Sequence, residues 1–288
     1  MLWSTGRKIR RVFRPENLAV TSEVERQSTS SAIRAEYKRM LTIRRDDLVA
    51  VAVNAGLVTI CWFLLPDTAL NWLFALHGAL AFAYVLEMWM LADAPATNVL
   101  GRDPDRALSL LNDPAAMRQW LRAKHIALWT FVGPPCAVVA LVIGIARGQY
   151  MQAVAVALIV LGLPLGVLSV AAWIGIWLPY HPRGLLWRWR HRSDWRGAVL
   201  RWGLLVLLPF LVVPVIAVLL LTPTLLIWAL AAQPQPLRDV GSAGLWLGTA
   251  VACAVNLIVF TVGPVVTSRI ARRRLDRLSG YLSNPEHG

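Results

Sequence analysis

Apolar residues in this chain come in long, nearly unbroken blocks, not in the alternating or one-faced patterns of soluble strands and helices. Six blocks stand out, near 48–66, 70–92, 126–146, 152–178, 203–232 and 244–266, and none contains Lys or Arg. A helix needs about 20 apolar residues to cross a hydrocarbon core of about 30 Å. The pattern therefore predicts an all-α polytopic membrane protein with six transmembrane helices. It divides the chain into a polar N-terminal segment (1–47), a membrane domain (48–266) and a polar tail (267–288). The fifth block is anomalous. Its 30 residues include Pro209, Pro214 and Pro223, and as one helix it would measure about 45 Å. Two short spans would leave the tail arginines on the opposite side, so this block reads as one broken span followed by a partly re-entrant piece around 223–233.

Charge fixes the expected orientation. The 288 residues are 57% apolar and only 16% charged, yet 29 basic and 16 acidic side chains leave a formal charge of +13. Soluble domains average roughly 45–50% apolar and 25% charged. The basic residues are not spread evenly. The N-terminal segment holds 11, the 93–125 loop 5, the 181–201 loop 6 and the tail 5, whereas the other side has only Arg147 and Arg238. That is 27 against 2, and the positive-inside rule puts both termini in the cytoplasm. Trp62, Trp72, Trp228 and Trp246 fall near the outer interface, and Trp89, Trp177 and Trp202 near the inner one, as aromatic belts do. Three cysteines, all in apolar runs, exclude a disulfide scaffold. The N-terminal basic stretch runs into a polar segment and so does not read as a cleavable signal. Within 31–47, Ile33, Tyr37 and Leu41 recur every four residues, which predicts an interfacial amphipathic helix leading into the first span.

Two loops carry local signals. In 93–125, Asp103-Pro104 and Asp113-Pro114 each pair an N-cap acceptor with a proline suited to the first helical position. They predict a short helix over 104–111 and a second helix running through Trp120 into the third span. The 181–201 loop reads His181-Pro182-Arg183 and then Trp187-Arg188-Trp189-Arg190-His191-Arg192. At a membrane boundary, alternating Trp and Arg reads as anchoring on anionic lipid headgroups, not as nucleic-acid binding.

No catalytic or metal site is visible. The chain has no P-loop, no His-Glu-x-x-His, no Cys-x-x-Cys and no Gly-x-Ser-x-Gly. Asp46-Asp47 is one adjacent pair without a second. Ionisable residues inside a membrane are functional candidates, and Asn54, His77, Glu87 and Asn256 are the polar residues assigned to a substrate path. The plainer readings are an interfacial salt bridge for Glu87, a hydrogen-bonded core position for His77, and interhelical contacts for the two asparagines. Gly162-x-x-x-Gly166 and Gly244-x-x-x-Gly248 allow close helix approach. Gly133-Pro134-Pro135 is expected to interrupt the third span, and Pro164, Pro209, Pro214 and Pro264 later ones.

Several of these residues resemble the six-helix permease subunits of ABC-type exporters, the class that exports drugs, antibiotics and polysaccharides. The matching stretches are Asn98-Val99-Leu100-Gly101-Arg102-Asp103, then Trp120-Leu121-Arg122-Ala123-Lys124 leading into Gly133-Pro134-Pro135. Further on come Leu178-Pro179-Tyr180-His181-Pro182 and the tail Arg272-Arg273-Arg274 with Asn284-Pro285-Glu286. The resemblance covers about 45–288. The 181–201 loop is longer and more basic than the family pattern.

The resemblance implies a permease moving a hydrophobic or amphipathic substrate, with no cofactor of its own and with ATP and Mg on a separate ATPase subunit. It also implies a second permease half, and docking of the ATPase through Asn98, Gly101, Asp103 and Arg106. Arg outnumbers Lys 26 to 3, which points to a GC-rich bacterial genome, such as an actinobacterial one, and so to a bacterial plasma membrane. Two other functions fit the same spans: a non-transporting anchor or regulatory subunit of another complex, and an integral-membrane enzyme acting on lipid.

Overall fold

The computed structural model describes residues 29–64, 79–92, 97–177, 195–231 and 242–283. All of its regular structure is helical: α1 (Thr29–Thr42), α2 (Arg45–Leu64), α3 (Ala79–Leu91), α4 (Pro104–Leu110), α5 (Pro114–Ala146), α6 (Tyr150–Trp177), α7 (Trp195–Ala231), α8 (Ser242–Arg273) and α9 (Leu275–Ser283). Five of these, α2, α5, α6, α7 and α8, are long and apolar enough to cross a membrane. The predicted second span is described only over its last part, as the shorter apolar helix α3.

The centre of the bundle is α6. It is apolar on every side, as a helix must be to stand among other helices, and 61% of its most apolar window is buried, against 22–39% for the other four long helices. It packs along α5 on one side and α8 on the other, and reaches α3 and α7. The turn from α5 to α6 is tight. Gly148 takes a left-handed φ of 66°, and a Cβ on Gly144 would lie 2.1 Å from that of Ala153.

Small residues carry the closest helix contacts. Gly162 and Gly166 of α6 face Cys253 and Asn256 of α8, and a Cβ on Gly166 would sit 2.1 Å from Asn256 Oδ1. Thus the Gly162-x-x-x-Gly166 pair makes the close approach expected of it. Earlier on α8, Gly248 faces Trp228 of α7 and accepts a hydrogen bond from Thr224 Oγ1 at 3.0 Å through its carbonyl.

The expected proline interruptions do not appear as breaks. α5 runs unbroken through Gly133, Pro134 and Pro135, and α6 and α8 run through Pro164 and Pro264. α7 is one helix through Pro209, Pro214 and Pro223 up to Ala231. The chain makes no turn at Pro223, so the re-entrant reading fails over 223–231; residues 232–233 lie outside the described residues. Packed neighbours and local adjustments re-satisfy the backbone groups that a proline frees. Beside Pro164, Trp129 Nε1 of α5 donates to Leu161 O of α6 at 2.7 Å.

Several helices are longer than a bilayer requires. α5 has 33 residues, about 50 Å, so its first turns project beyond the apolar block that starts at 126. α7 begins at Trp195, inside the segment expected to be loop. The tail is not simply polar either. It continues α8 to Arg273 and then folds as α9, whose Leu278 and Leu282 are buried.

Candidate functional site

At one end of the bundle the polar segments fold together over a second hydrophobic core. This core joins Val99, Leu100, Ala107 and Leu110 to Met117, Trp120 and Leu121 at the start of α5. Ala172 and Ile176 of α6, Ala271 of α8, and Leu278 and Leu282 of α9 complete it. Short helix α4 lies against α9, while α1 runs alongside α5, where Tyr37 stacks on Phe131 with ring centroids 5.1 Å apart and planes 9° apart.

The two Asp-Pro dipeptides have different fates. Asp113 caps α5 as predicted, accepting from the Ala115 and Ala116 amides at 2.9 and 3.0 Å. Asp103 stands at the N-cap of α4 but makes no side-chain cap bond. Its carboxylate turns instead to α1 and the α1–α2 corner, where it meets Arg39 at 2.9 Å and Arg44 at 3.4 Å. Tertiary charge has displaced the local cap.

Asp103 belongs to a network that ties the 97–106 segment to the chain before the first span. Arg106 pairs with Glu36 on α1. Arg102 pairs with Asp47, and with Asp46 at 3.1 Å, at the start of α2. Arg44 reaches Asp47 at 3.8 Å and donates to the Arg102 carbonyl. Lys124 on α5 donates to Val99 O at 2.8 Å and stands 5.0 Å over the Trp120 ring, with the Arg106 guanidinium 5.9 Å from the same ring. Glu36 and Asp47 are each 2% exposed. Burial lowers the Arg44 pKa, and the Asp103 carboxylate beside it pulls in the opposite direction. Four carboxylates therefore sit among five cations, and paired charge holds the segment together with the apolar contacts of Val99, Leu100 and Ala107.

Backbone packing fixes the same segment from the other side. A Cβ on Gly175 of α6 would lie 3.0 Å from Thr97 O and 3.4 Å from Val99 N, so a larger residue there would press the 97–99 backbone away from α6. Next to it, Arg274 lies 3.4 Å from the centre of the Trp177 ring, pinning the end of α8 to the end of α6.

Comparison with protein-family models, with curated proteins and with solved structures finds no match to this chain.

The predicted docking residues are all at this end, but they face inward. Asn98, Gly101 and Asp103 are buried, and Arg106 is half-buried against Glu36. They build the segment, and its outward face on α4 is formed by Asp105 and Ser109, which are exposed. Of their partners, Arg102 and Lys124 stand in the stretches that carry the resemblance, whereas Glu36, Arg39 and Arg44 carry no signal of pairing in the sequence. One signal was present: Glu36 shares a four-residue spacing with Ala32 and Met40, and those three are the buried face of α1. The predicted stripe Ile33, Tyr37 and Leu41 lies on the adjacent face, with Tyr37 and Leu41 exposed.

Of the predicted substrate-path residues, Asn54, Glu87 and Asn256 stand on three different helices, α2, α3 and α8. Asn54, on α2, is buried with no hydrogen-bond partner for Nδ2 among the described residues. Asn256 donates to Ala252 O of its own helix at 2.8 Å, so its contact across to α6 is packing against Gly166 and not an interhelical hydrogen bond. Glu87 is fully buried, and the interfacial salt bridge expected for it is absent among the described residues. The reason is depth. Met90 Sδ lies 3.7 Å from Cys136 Sγ, and Cys136 stands twelve residues beyond Lys124 on α5, about 18 Å along the helix. The Glu87 turn therefore lies far from the ion-pair network. His77, and Trp187, Arg188, Trp189, Arg190 and Arg192 of the lipid-anchoring loop, lie outside the described residues. No cluster of His, Cys, Asp or Glu able to hold a metal exists among the described residues.

Proposed function

We propose that this chain is the permease subunit of an ABC-type exporter. It spans a bacterial plasma membrane six times with both termini in the cytoplasm. It moves a hydrophobic or amphipathic substrate, driven by ATP hydrolysed on a separate subunit, and pairs with a second permease half. The stripe of Ile33, Tyr37 and Leu41 lies on the membrane surface, and anionic lipids meet the basic loops.

One observation carries this reading. The segment between the second and third spans is a rigid mount, not a surface connector. Short helix α4 is clamped by buried ion pairs to α1 and by an apolar core to α5, α6 and α9. A force applied to such a mount reaches the long helices α5 and α6 at once, which is what coupling to a soluble motor demands. The mount also stands at the end of the bundle where the basic residues gather.

The test is co-expression of the tagged chain with an ABC ATPase subunit, taken from the adjacent reading frame if that frame encodes one. Asp105 and Ser109 form the exposed face of α4, so Asp105→Arg combined with Ser109→Arg is expected to abolish retention of the ATPase while the permease still folds. If the double variant holds the ATPase as firmly as the unaltered chain, α4 is not the docking element. If no ATPase is retained in either case, the exporter reading fails.

A further inference from the structure

Lys124 is the odd member of the ion-pair network. Each of the four arginines has a carboxylate: Arg39 and Arg44 meet Asp103, Arg102 meets Asp46 and Asp47, and Arg106 meets Glu36. Lys124 pairs with no carboxylate among the described residues. Its Nζ donates to Val99 O at 2.8 Å and stands 5.0 Å over the Trp120 ring, and the residue is only 7% exposed. With Lys124 charged, the network holds five cations against four carboxylates. With Lys124 neutral, the two counts match. A neutral amine still donates to a carbonyl, so the Val99 contact survives loss of the proton. A buried ammonium without a counter-charge, by contrast, bears the cost of leaving water with little in return.

The charges around Lys124 come from several elements. α1 and the α1–α2 corner bring Glu36, Arg39 and Arg44, α2 brings Asp46 and Asp47, and the 97–106 segment brings Arg102, Asp103, Asp105 and Arg106. On α5 itself, His125 is adjacent, and Arg122 is turned to Thr261 O of α8. α6 carries no charged residue over 151–177, and Arg269 of α8 is exposed. Burial above all, and then Arg44, pull the Lys124 pKa down to about 7; Arg102 acts in the same sense, while Asp103 and Glu36 oppose them. Lys124 precedes the apolar block that starts at 126, so its proton is exchanged at the end of the bundle and not within the span.

We propose that Lys124 is a proton-operated latch on the mount: neutral, it lets the 97–106 segment close on α1 and α5, and protonated, it adds an unmatched charge that loosens them. The latch rests on the exporter reading for its meaning, since it would make coupling slacken when the cytoplasm acidifies, but its test does not need that reading. The sign follows from the two states. When the segment opens, Lys124 regains the ordinary lysine pKa of about 10.4. Between that value and the lower one of the closed state, the open state holds a proton that the closed state lacks. Closure therefore tightens as pH rises through neutrality, and loosens as pH falls.

The test is amide hydrogen exchange of the full chain in lipid nanodiscs near pH 6 and near pH 8, corrected for the intrinsic exchange rate and read over α1 and residues 97–110. From the closed and open pKa values, the opening equilibrium of the unaltered chain should fall about tenfold from pH 6 to pH 8. α6, at the centre of the bundle, should show no such change. In Lys124→Met no proton is exchanged, and opening at the two pH values should agree within about twofold. Lys124→Arg keeps its charge throughout, so it should also lose the slope, and at pH 8 it should open more readily than the unaltered chain.

The measurement on the unaltered chain needs no variant, so the proposal stays exposed even if a substitution disturbs folding. Opening that does not change with pH in the unaltered chain would overturn it. So would a slope that persists in Lys124→Met, as it would if His125 were the titrating group. A slope that vanishes in Lys124→Met, in a chain that retains no ATPase, would sustain the latch while removing the exporter reading. Retention of the ATPase by a chain without any slope would do the reverse.

Discussion

The Glu36–Arg106 pair predicts an asymmetry that can be measured. The Glu36 side chain is 3% exposed and that of Arg106 is 27% exposed. Removing one member of a buried pair strands the other, at a cost of about 3–5 kcal/mol, whereas an exposed pair contributes only about 0–1 kcal/mol. The two halves of this pair therefore should not respond alike. In Arg106→Gln the Glu36 carboxylate stays buried without its main partner. Arg44 and Lys124 also act on Glu36 electrostatically, so the cost falls below the full range, at about 2–3 kcal/mol. In Glu36→Gln the guanidinium turns to solvent, and the cost is about 1 kcal/mol. The double variant strands no charge and should resemble Glu36→Gln. The assay is amide hydrogen exchange over α1 in nanodiscs, which reads the local opening of this helix from the bundle. Each 1.4 kcal/mol is a factor of ten, so Arg106→Gln should speed exchange roughly 30- to 150-fold and Glu36→Gln by less than about tenfold. Equal acceleration in the two single variants, or a double variant equal to the sum of both, would refute the claim that burial of Glu36 sets the energetics of this contact.

Two further pairs of variants are set by other contacts. Asp113→Ala removes the side-chain acceptor that caps α5 and should lower stability to denaturing detergent by about 1 kcal/mol. In Asp103→Ala, by contrast, no cap bond is lost, and the damage should appear as faster exchange in α1 and not as fraying of α4. Gly166→Leu places a side chain where Asn256 already lies at 2.1 Å and should separate α6 from α8, with a loss of at least about 1–3 kcal/mol. Gly56→Leu on α2 meets nothing within 4 Å and should be tolerated; thermal unfolding of both variants in detergent decides whether close approach or glycine content sets helix packing.

What could be read along the chain was whatever depends on neighbours in sequence. The apolar blocks foretold the long helices, because burying or solvating a backbone in lipid leaves few options other than a helix. Asp113-Pro114 foretold the start of α5 because an N-cap is closed within three residues. The glycine pair at 162 and 166 foretold the contact with α8 because a missing Cβ is itself the means of approach. The breaks expected at Pro134, Pro209, Pro214 and Pro223 did not form, because helix continuity depends on what the neighbouring helices supply, which no local rule contains.

The tertiary structure decided where each charge goes. Glu36 finds Arg106 across seventy residues and Arg39 finds Asp103 across sixty-four, and no spacing rule reaches that far. The same aspartate-proline dipeptide became a cap at 113 and an ion-pair partner at 103 because only one of the two faces arginines from α1 and the α1–α2 corner. In the sequence Glu87 lies about one turn from the cytoplasmic edge of its apolar block, beside a basic loop. The fold places its turn of α3 beside Cys136 instead, deep along α5, and so turns an expected surface salt bridge into a buried carboxyl without a partner among the described residues. Sequence determined which segments enter the apolar phase, since transfer of a side chain from water is a local free energy. Structure determined which polar groups meet there, since pairing free energy depends on distances that only packing sets.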